Sequence, residues 1–174
     1  LDCDGQPDLV VTTHYAGAYT ASSFIYYADT GYIDADRVEL PSSGAYEAQA
    51  EDLDGDGYQD IVIANYYDGS TRRIDSTVYW GSASGHSSAD STDLPTVGAV
   101  DLLVDDLDDD GYPELVFTGY NDDSSYNLDS YVYWGSASGY STADRTDLPT
   151  TGGWESVAED FNGDGHRDLA FCSY

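Results

Sequence analysis

The chain has 174 residues, with 34 acidic side chains against 5 basic ones, all Arg, for a formal net charge of -29. Binding of phosphate backbones relies on clustered Lys and Arg, so nucleic acid is excluded as a partner. A content of 40% hydrophobic and 14% aromatic residues excludes a disordered acidic tail and calls for a packed core.

No run approaches the roughly 18 apolar residues of a membrane span, and Leu1 to Gly5 have neither the basic start nor the apolar segment of a signal peptide. No membrane insertion and no targeting segment are therefore expected. Asp outnumbers Glu 28 to 6, which places the charge in loops and turns, because Asp competes with helical backbone bonding. Abundant Ser, Thr, Tyr, Val and Gly favour strands. The absence of Lys together with excess Asp also fits a very salty environment, where screening makes self-repulsion tolerable.

In chain order, the same unit recurs. The loop glycines Gly57, Gly111 and Gly165 are 54 residues apart, and Gly5 precedes Gly57 by 52. Val78-Tyr79-Trp80-Gly81-Ser82-Ala83-Ser84-Gly85 returns unchanged from Val132 to Gly139, and Thr92 to Thr96 returns as Thr146 to Thr150. The first copy keeps the pattern with Phe24-Ile25-Tyr26-Tyr27 and Val38-Glu39-Leu40-Pro41. The repeats are read as 1–52, with an acidic loop that begins at its second position, then 53–106, 107–160, and the start of a fourth at 161–174.

Each copy predicts four short strands. Ala45 to Leu53 alternates small or apolar with polar residues, and after an Asp/Gly loop Ile61-Val62-Ile63-Ala64 is continuously apolar, as in a buried strand. A polar loop leads to the aromatic strand Ser76 to Trp80, a Gly-Ser-Ala-Ser-Gly turn, and an edge strand ending at Pro95, where proline is tolerated. Four strands in about 40 to 55 residues is the length of a β-propeller blade. The expected fold is all-β, with about three blades of four antiparallel strands, as a partial propeller or an open repeat array. Three blades with overhangs do not close into a ring, so further blades or identical copies, in a homo-oligomer or polymer, are the expected partners.

The sharpest chemistry lies in the loops. Asp52, Asp54, Asp56 and Asp60 stand at positions 1, 3, 5 and 9 of a loop with Gly57 at position 6 and Tyr58 at position 7. The pattern returns as Asp106, Asp108, Asp110, Tyr112 and Glu114, and as Asp160, Asn162, Asp164, His166 and Asp168. The first copy supplies Asp2, Asp4, Gln6 and Asp8. Hard oxygen donors at this spacing form the front half of a calcium loop, with a backbone carbonyl from position 7. An EF-hand is excluded, because position 12 holds Ile63, Phe117 and Phe171 and strands flank the loop. The plain alternative is a set of solvated Asp-Gly turns.

With Asp-x-Asp-x-Asp-Gly-x-x-Asp, an apolar strand and then a Val-Tyr-Trp strand, the chain resembles the FG-GAP or VCBS-type repeats of integrin α-subunit propellers. The resemblance implies calcium in the hairpin between the first two strands of each blade, held by the loop residues just named. It departs from the family at the phenylalanine-glycine pair, which is Val97-Gly98 and Thr151-Gly152 here.

Catalytic signals are weak. The Gly-Ser-Ala-Ser-Gly stretch has Ala83 where a nucleophile elbow needs Ser, and His14, His86 and His166 suggest no triad. No enzyme is expected. Tyr66, Tyr67, Tyr120 and Tyr126, in or beside variable loops, are candidates for ligand binding, whereas Tyr79, Trp80, Tyr133 and Trp134 are read as packing between blades. Cys3 and Cys172 are disulfide candidates in an extracellular setting. The first functional reading is an extracellular or cell-surface calcium-stabilised module for adhesion or structural assembly, with glycans or cell-surface proteins as further partners. A calcium-dependent carbohydrate-binding propeller and an accessory propeller of a larger secreted enzyme are the alternatives.

Overall fold

The structure is a computed structural model that describes residues 1–2 and 4–174. Among the described residues, thirteen strands fall into four antiparallel sheets. β1 (Leu9–Val11), β2 (Ser23–Tyr26) and β3 (Val38–Leu40) form the first. β4 (Ala45–Glu51), β5 (Asp60–Asn65), β6 (Asp75–Tyr79) and β7 (Ser91–Pro95) form the second. β8 (Ala99–Asp105), β9 (Glu114–Gly119), β10 (Asn127–Tyr133) and β11 (Arg145–Thr151) form the third, and β12 (Gly153–Glu159) with β13 (Asp168–Ser173) the fourth. Among the described residues the helical content is one 3-10 turn, Thr142–Asp144.

The sheets are phased earlier than the loop-based repeat boundaries. The second, third and fourth begin at Ala45, Ala99 and Gly153, so boundaries drawn at 53, 107 and 161 fall in the loops between first and second strands. The strict alternation within each sheet places these loops at one end of the strands. The loops between second and third strands lie at the other end.

The core lies between sheets rather than within one. β5 is buried along its whole length because both its faces are covered. Val62 and Ala64 face the third sheet in a cluster with Leu102, Leu115, Phe117 and Tyr133, while Ile61 and Ile63 face the first sheet with Ile25 and Leu40. This two-sided burial explains the continuous apolar run of a central strand. Tyr79 and Tyr133 also pack between sheets, as expected. Their hydroxyls donate to the carbonyls of Pro41 and Pro95 on the preceding blade, the latter at 2.7 Å.

The first strands β4, β8 and β12 run beside one another. Each carries a β-bulge at the same place, between Ala45 and Glu47, Ala99 and Asp101, and Gly153 and Glu155. Acidic side chains just past the bulges stitch neighbouring blades together. Glu47 Oε2 accepts from Leu102 N at 3.3 Å, and Asp101 Oδ2 accepts from Ser156 N at 2.9 Å and from its hydroxyl at 2.6 Å.

Candidate metal centre

Each acidic loop is folded by its own carboxylates. Asp52 Oδ1 accepts from Gly55 N at 2.9 Å and Oδ2 from Gly57 N at 3.0 Å. Asp54 Oδ1 accepts from Asp56 N at 3.1 Å, and Asp56 Oδ1 from Tyr58 N at 2.8 Å. The loop of the third blade repeats this, with Asp106 accepting from Asp110 N and Gly111 N, Asp108 from Asp110 N, and Asp110 from Tyr112 N. In the fourth, Asp160 accepts from Gly163 N, Asp164 N and Gly165 N, Asn162 Oδ1 from Asp164 N, and Asp164 from His166 N. The first keeps the Asp2 to Asp4 and Asp4 to Gln6 turns, and Gln6 Nε2 also donates to Asp4 Oδ2 at 3.0 Å.

The ninth position closes the loop. Asp60 Oδ2 accepts from Leu53 N at 2.9 Å and Oδ1 from Gly81 N at 2.7 Å, so one carboxylate ties the loop to the end of the third strand. Glu114 binds the same two partners, Leu107 N at 2.7 Å and Gly135 N at 3.1 Å, so its extra methylene is absorbed without changing the pattern. Asp168 accepts from Phe161 N at 3.1 Å, and Asp8 accepts from the Leu1 amine at 2.7 Å and from Ala28 N at 2.9 Å. Burial pushes Asp60 up to about 6 and raises Glu114, with neighbouring loop carboxylates adding to both. Asp160 and Asp164 are held below the usual carboxylate range, chiefly by backbone N–H donors.

In the second and third blades the loop carboxylates converge. Asp52, Asp54 and Asp60 each place a carboxylate oxygen within 4.8 Å of the others, as do Asp106, Asp108 and Glu114. Three carboxylates so close repel one another, and a divalent cation between them would relieve the repulsion. The donor set is all oxygen, which suits a hard cation. An ionised carboxylate has about four lone-pair sites, so the N–H bonds above leave acceptor capacity for a metal. Asp56 and Asp110 stand outside these close sets.

Two groups of supporting residues were not legible as such. An ideal Cβ at Gly81 would lie 2.2 Å from Gln59 O, and at Gly135 2.5 Å from Pro113 O, so only glycine lets the third strand's end reach the ninth-position carboxylate. The carbonyl at position 8 is clamped in every blade with a third strand. His86 Nε2 lies 2.9 Å from Gln59 O, Tyr140 OH 2.7 Å from Pro113 O, and Tyr32 OH 2.5 Å from Pro7 O. Burial lowers His86, so its ring is neutral and donates from Nε2. The signal was the equal spacing of Tyr32, His86 and Tyr140.

The four candidate tyrosines lie at the end of the sheets away from the loops. Tyr66 is buried, with Arg72 4.8 Å from its ring and from that of Tyr67. Tyr120 packs edge-on against Tyr126 at 5.2 Å and against Trp154 at 5.3 Å, and Trp154 meets Tyr46 at 6.2 Å. Cys172 is exposed on β13, and its proposed partner Cys3 lies outside the described residues.

Four-stranded antiparallel sheets packed face to face, each with an acidic loop between its first two strands, define a β-propeller repeat protein. The FG-GAP-like repeat family matches residues 52–117 and again residues 106–171, and the chain belongs to that family. It is also similar to human integrin alpha-IIb (Homo sapiens), 37% identical over 84 residues. That stretch covers 44% of this chain and 8% of the integrin.

Proposed function

We propose that this chain is a non-enzymatic extracellular or cell-surface module for adhesion or structural assembly, with calcium in its loops stabilising the fold. The observation that carries the reading is the convergence of Asp52, Asp54 and Asp60, and of Asp106, Asp108 and Glu114, on loops already shaped by their own hydrogen bonds. A bound calcium ion would supply positive charge to these oxygens, with the carbonyls of Tyr58, Tyr112 and His166 as further donors and Asp160, Asn162 and Asp168 as the equivalent set in the fourth blade. Calcium also accords with an extracellular setting, where modules of this affinity class bind at about 10⁻⁴ to 10⁻³ M. The likeness to an integrin supports adhesion as the task.

Further blades or identical copies complete the packing. Leu9 and Val11 stand where Ile61 and Ile63 meet the preceding sheet, and they are 49% and 42% exposed. A second reading, glycan binding, draws on Tyr46, Tyr126 and Trp154, large aromatics exposed at the end of the sheets opposite the loops. Calorimetric titration with calcium tests the main reading, with at least one ion expected for each close oxygen set. No heat of binding at millimolar calcium would reject it.

A further inference from the structure

The three blades treat one position in different ways. Arg37, Ser91 and Arg145 are spaced by 54 and stand at the start of the outer strand. Register confirms the equivalence of their surroundings. Phe24 pairs with Glu39, Thr77 with Asp93, and Tyr131 with Asp147, while Tyr79 pairs with Ser91 and Tyr133 with Arg145.

In the third blade the arginine is fully engaged. Its Nε and Nη2 fork onto Asp147 at 2.6 and 3.0 Å, and its Nη1 donates to Tyr133 OH at 3.2 Å and to Pro95 O at 3.3 Å. Its guanidinium carbon lies 4.6 Å from the centre of the Tyr131 ring. The first blade does the same with other residues. Arg37 lies 3.8 Å over Phe24, pairs with Glu39 at 3.2 Å and with Asp34, and donates to Tyr26 OH at 3.3 Å.

In the second blade both the arginine and its aromatic shelf are missing, as Ser91 and Thr77, yet the acceptors remain. Asp93, the Tyr79 hydroxyl and the Pro41 carbonyl are the counterparts of Asp147, Tyr133 and Pro95. With Thr77, Ser91 and Asp75 they line a cleft of about 480 Å³ between the first and second sheets. Thr77 Oγ1 donates to Asp93 Oδ1 at 3.1 Å. Burial and the neighbouring Asp93 raise Asp75, as expected where two carboxylates share a site without a cation.

The geometry points to this cleft as a binding site for a guanidinium group, seated as the Arg145 guanidinium is seated in the next blade. The planar fork of a guanidinium matches a carboxylate by two parallel hydrogen bonds, which an ammonium group cannot reproduce. The site is independent of the acidic loops, which lie on other strands' connections, so it stands or falls apart from the calcium reading.

The test is titration of the calcium-loaded full chain at physiological ionic strength, followed by NMR. The probes are Nα-acetyl-arginine amide, its neutral citrulline counterpart, the lysine counterpart, and an arginine tripeptide. Saturable shifts at Asp93, Thr77 and Ser91, with the arginine probe binding at least about tenfold tighter than the citrulline and lysine probes, are expected. The tripeptide binding tighter than the amide assigns an arginine of a polypeptide, and equal binding assigns a free guanidinium compound. Both support the site. Asp93→Asn should abolish binding and Asp147→Asn leave it intact. The double variant Thr77→Tyr with Ser91→Arg should fill the cleft from within, abolishing binding while raising the melting temperature. Equal binding of arginine and citrulline, or binding that survives in either Asp93→Asn or the filled variant, would overturn the proposal.

Discussion

Gly81 N donates to Asp60 Oδ1 at 2.7 Å, so a turn after the third strand and an acidic loop after the first share one hydrogen bond. The contact makes the acidic loop part of the sheet's architecture rather than an appendage. Gly81→Ala brings a Cβ to 2.2 Å from Gln59 O, backbone that cannot swing aside. A loss of ~1–3 kcal/mol is expected, with weaker calcium binding at the second-blade loop. Denaturant melts and calorimetry measure both. Unchanged stability would show that the two segments are not coupled.

Asp54 and Asp60 should separate metal binding from folding. Asp54 is exposed and bonds only within its loop, so Asp54→Ala is expected to weaken calcium binding with little change in calcium-free stability. Asp60 is 1% exposed, and Asp60→Ala leaves Leu53 N and Gly81 N without acceptors at ~1–3 kcal/mol each. Glu114→Asp should change little, since the shorter Asp60 satisfies the equivalent two donors of the second blade, Leu53 N and Gly81 N, as Glu114 satisfies Leu107 N and Gly135 N. Equal effects of the Asp54 and Asp60 substitutions on the calcium-free protein would contradict these roles.

Acid should loosen calcium. In the metal-free protein, burial pushes Asp60 from 3.8 to about 6, so its ionised form is disfavoured in the fold. Its contribution to metal-free stability is therefore full below 3.8 and is lost as pH rises through about 6. Calcium needs the ionised form, so affinity at the second-blade loop should fall as pH drops through about 6. Titration at about pH 5 and about pH 7 checks this. Equal affinities would remove Asp60 from the ligand set.

The alkaline limit should be set by tyrosine, because the chain has no Lys. Burial pushes Tyr79 up to about 12 and raises Tyr27, Tyr131, Tyr133 and Tyr140. A raised phenol stabilises the fold fully below its unfolded value near 10, and that stability is lost as pH rises through about 12. Phenolate absorbance should appear together with unfolding over this range. Ionisation of all tyrosines near 10 with the sheets intact would refute it.

Much of the fold was legible because burial on both faces leaves a plain trace. Ile61 to Ala64, the continuous apolar run, sit inside the buried strand Asp60–Asn65, and Asp-Gly spacing located every loop. What sequence could not show was contact between segments about 20 residues apart. The Gly81 to Gly85 stretch was read as a turn, while its first glycine is required by Gln59 O in another loop. Tyr66 looked like a loop aromatic and is buried under Arg72, a pairing that depends on the fold of the intervening loop. Replacement of Arg by Ser91 is visible in the repeat, but the cleft it leaves appears only once the blades are packed.

The most direct measurement is the melting temperature of the chain in calcium at about 100 times the dissociation constant, roughly 10–100 mM for an extracellular calcium module, and after chelation. A site with free ion at about 100 times its dissociation constant contributes roughly 2.7 kcal/mol. For a domain of this size that corresponds to about 5–10 °C. The calcium account predicts a rise of at least that amount for the Asp52 and Asp106 loops, reversed by chelator and reduced in Asp54→Ala. A melting temperature that is the same with calcium and with chelator would contradict it.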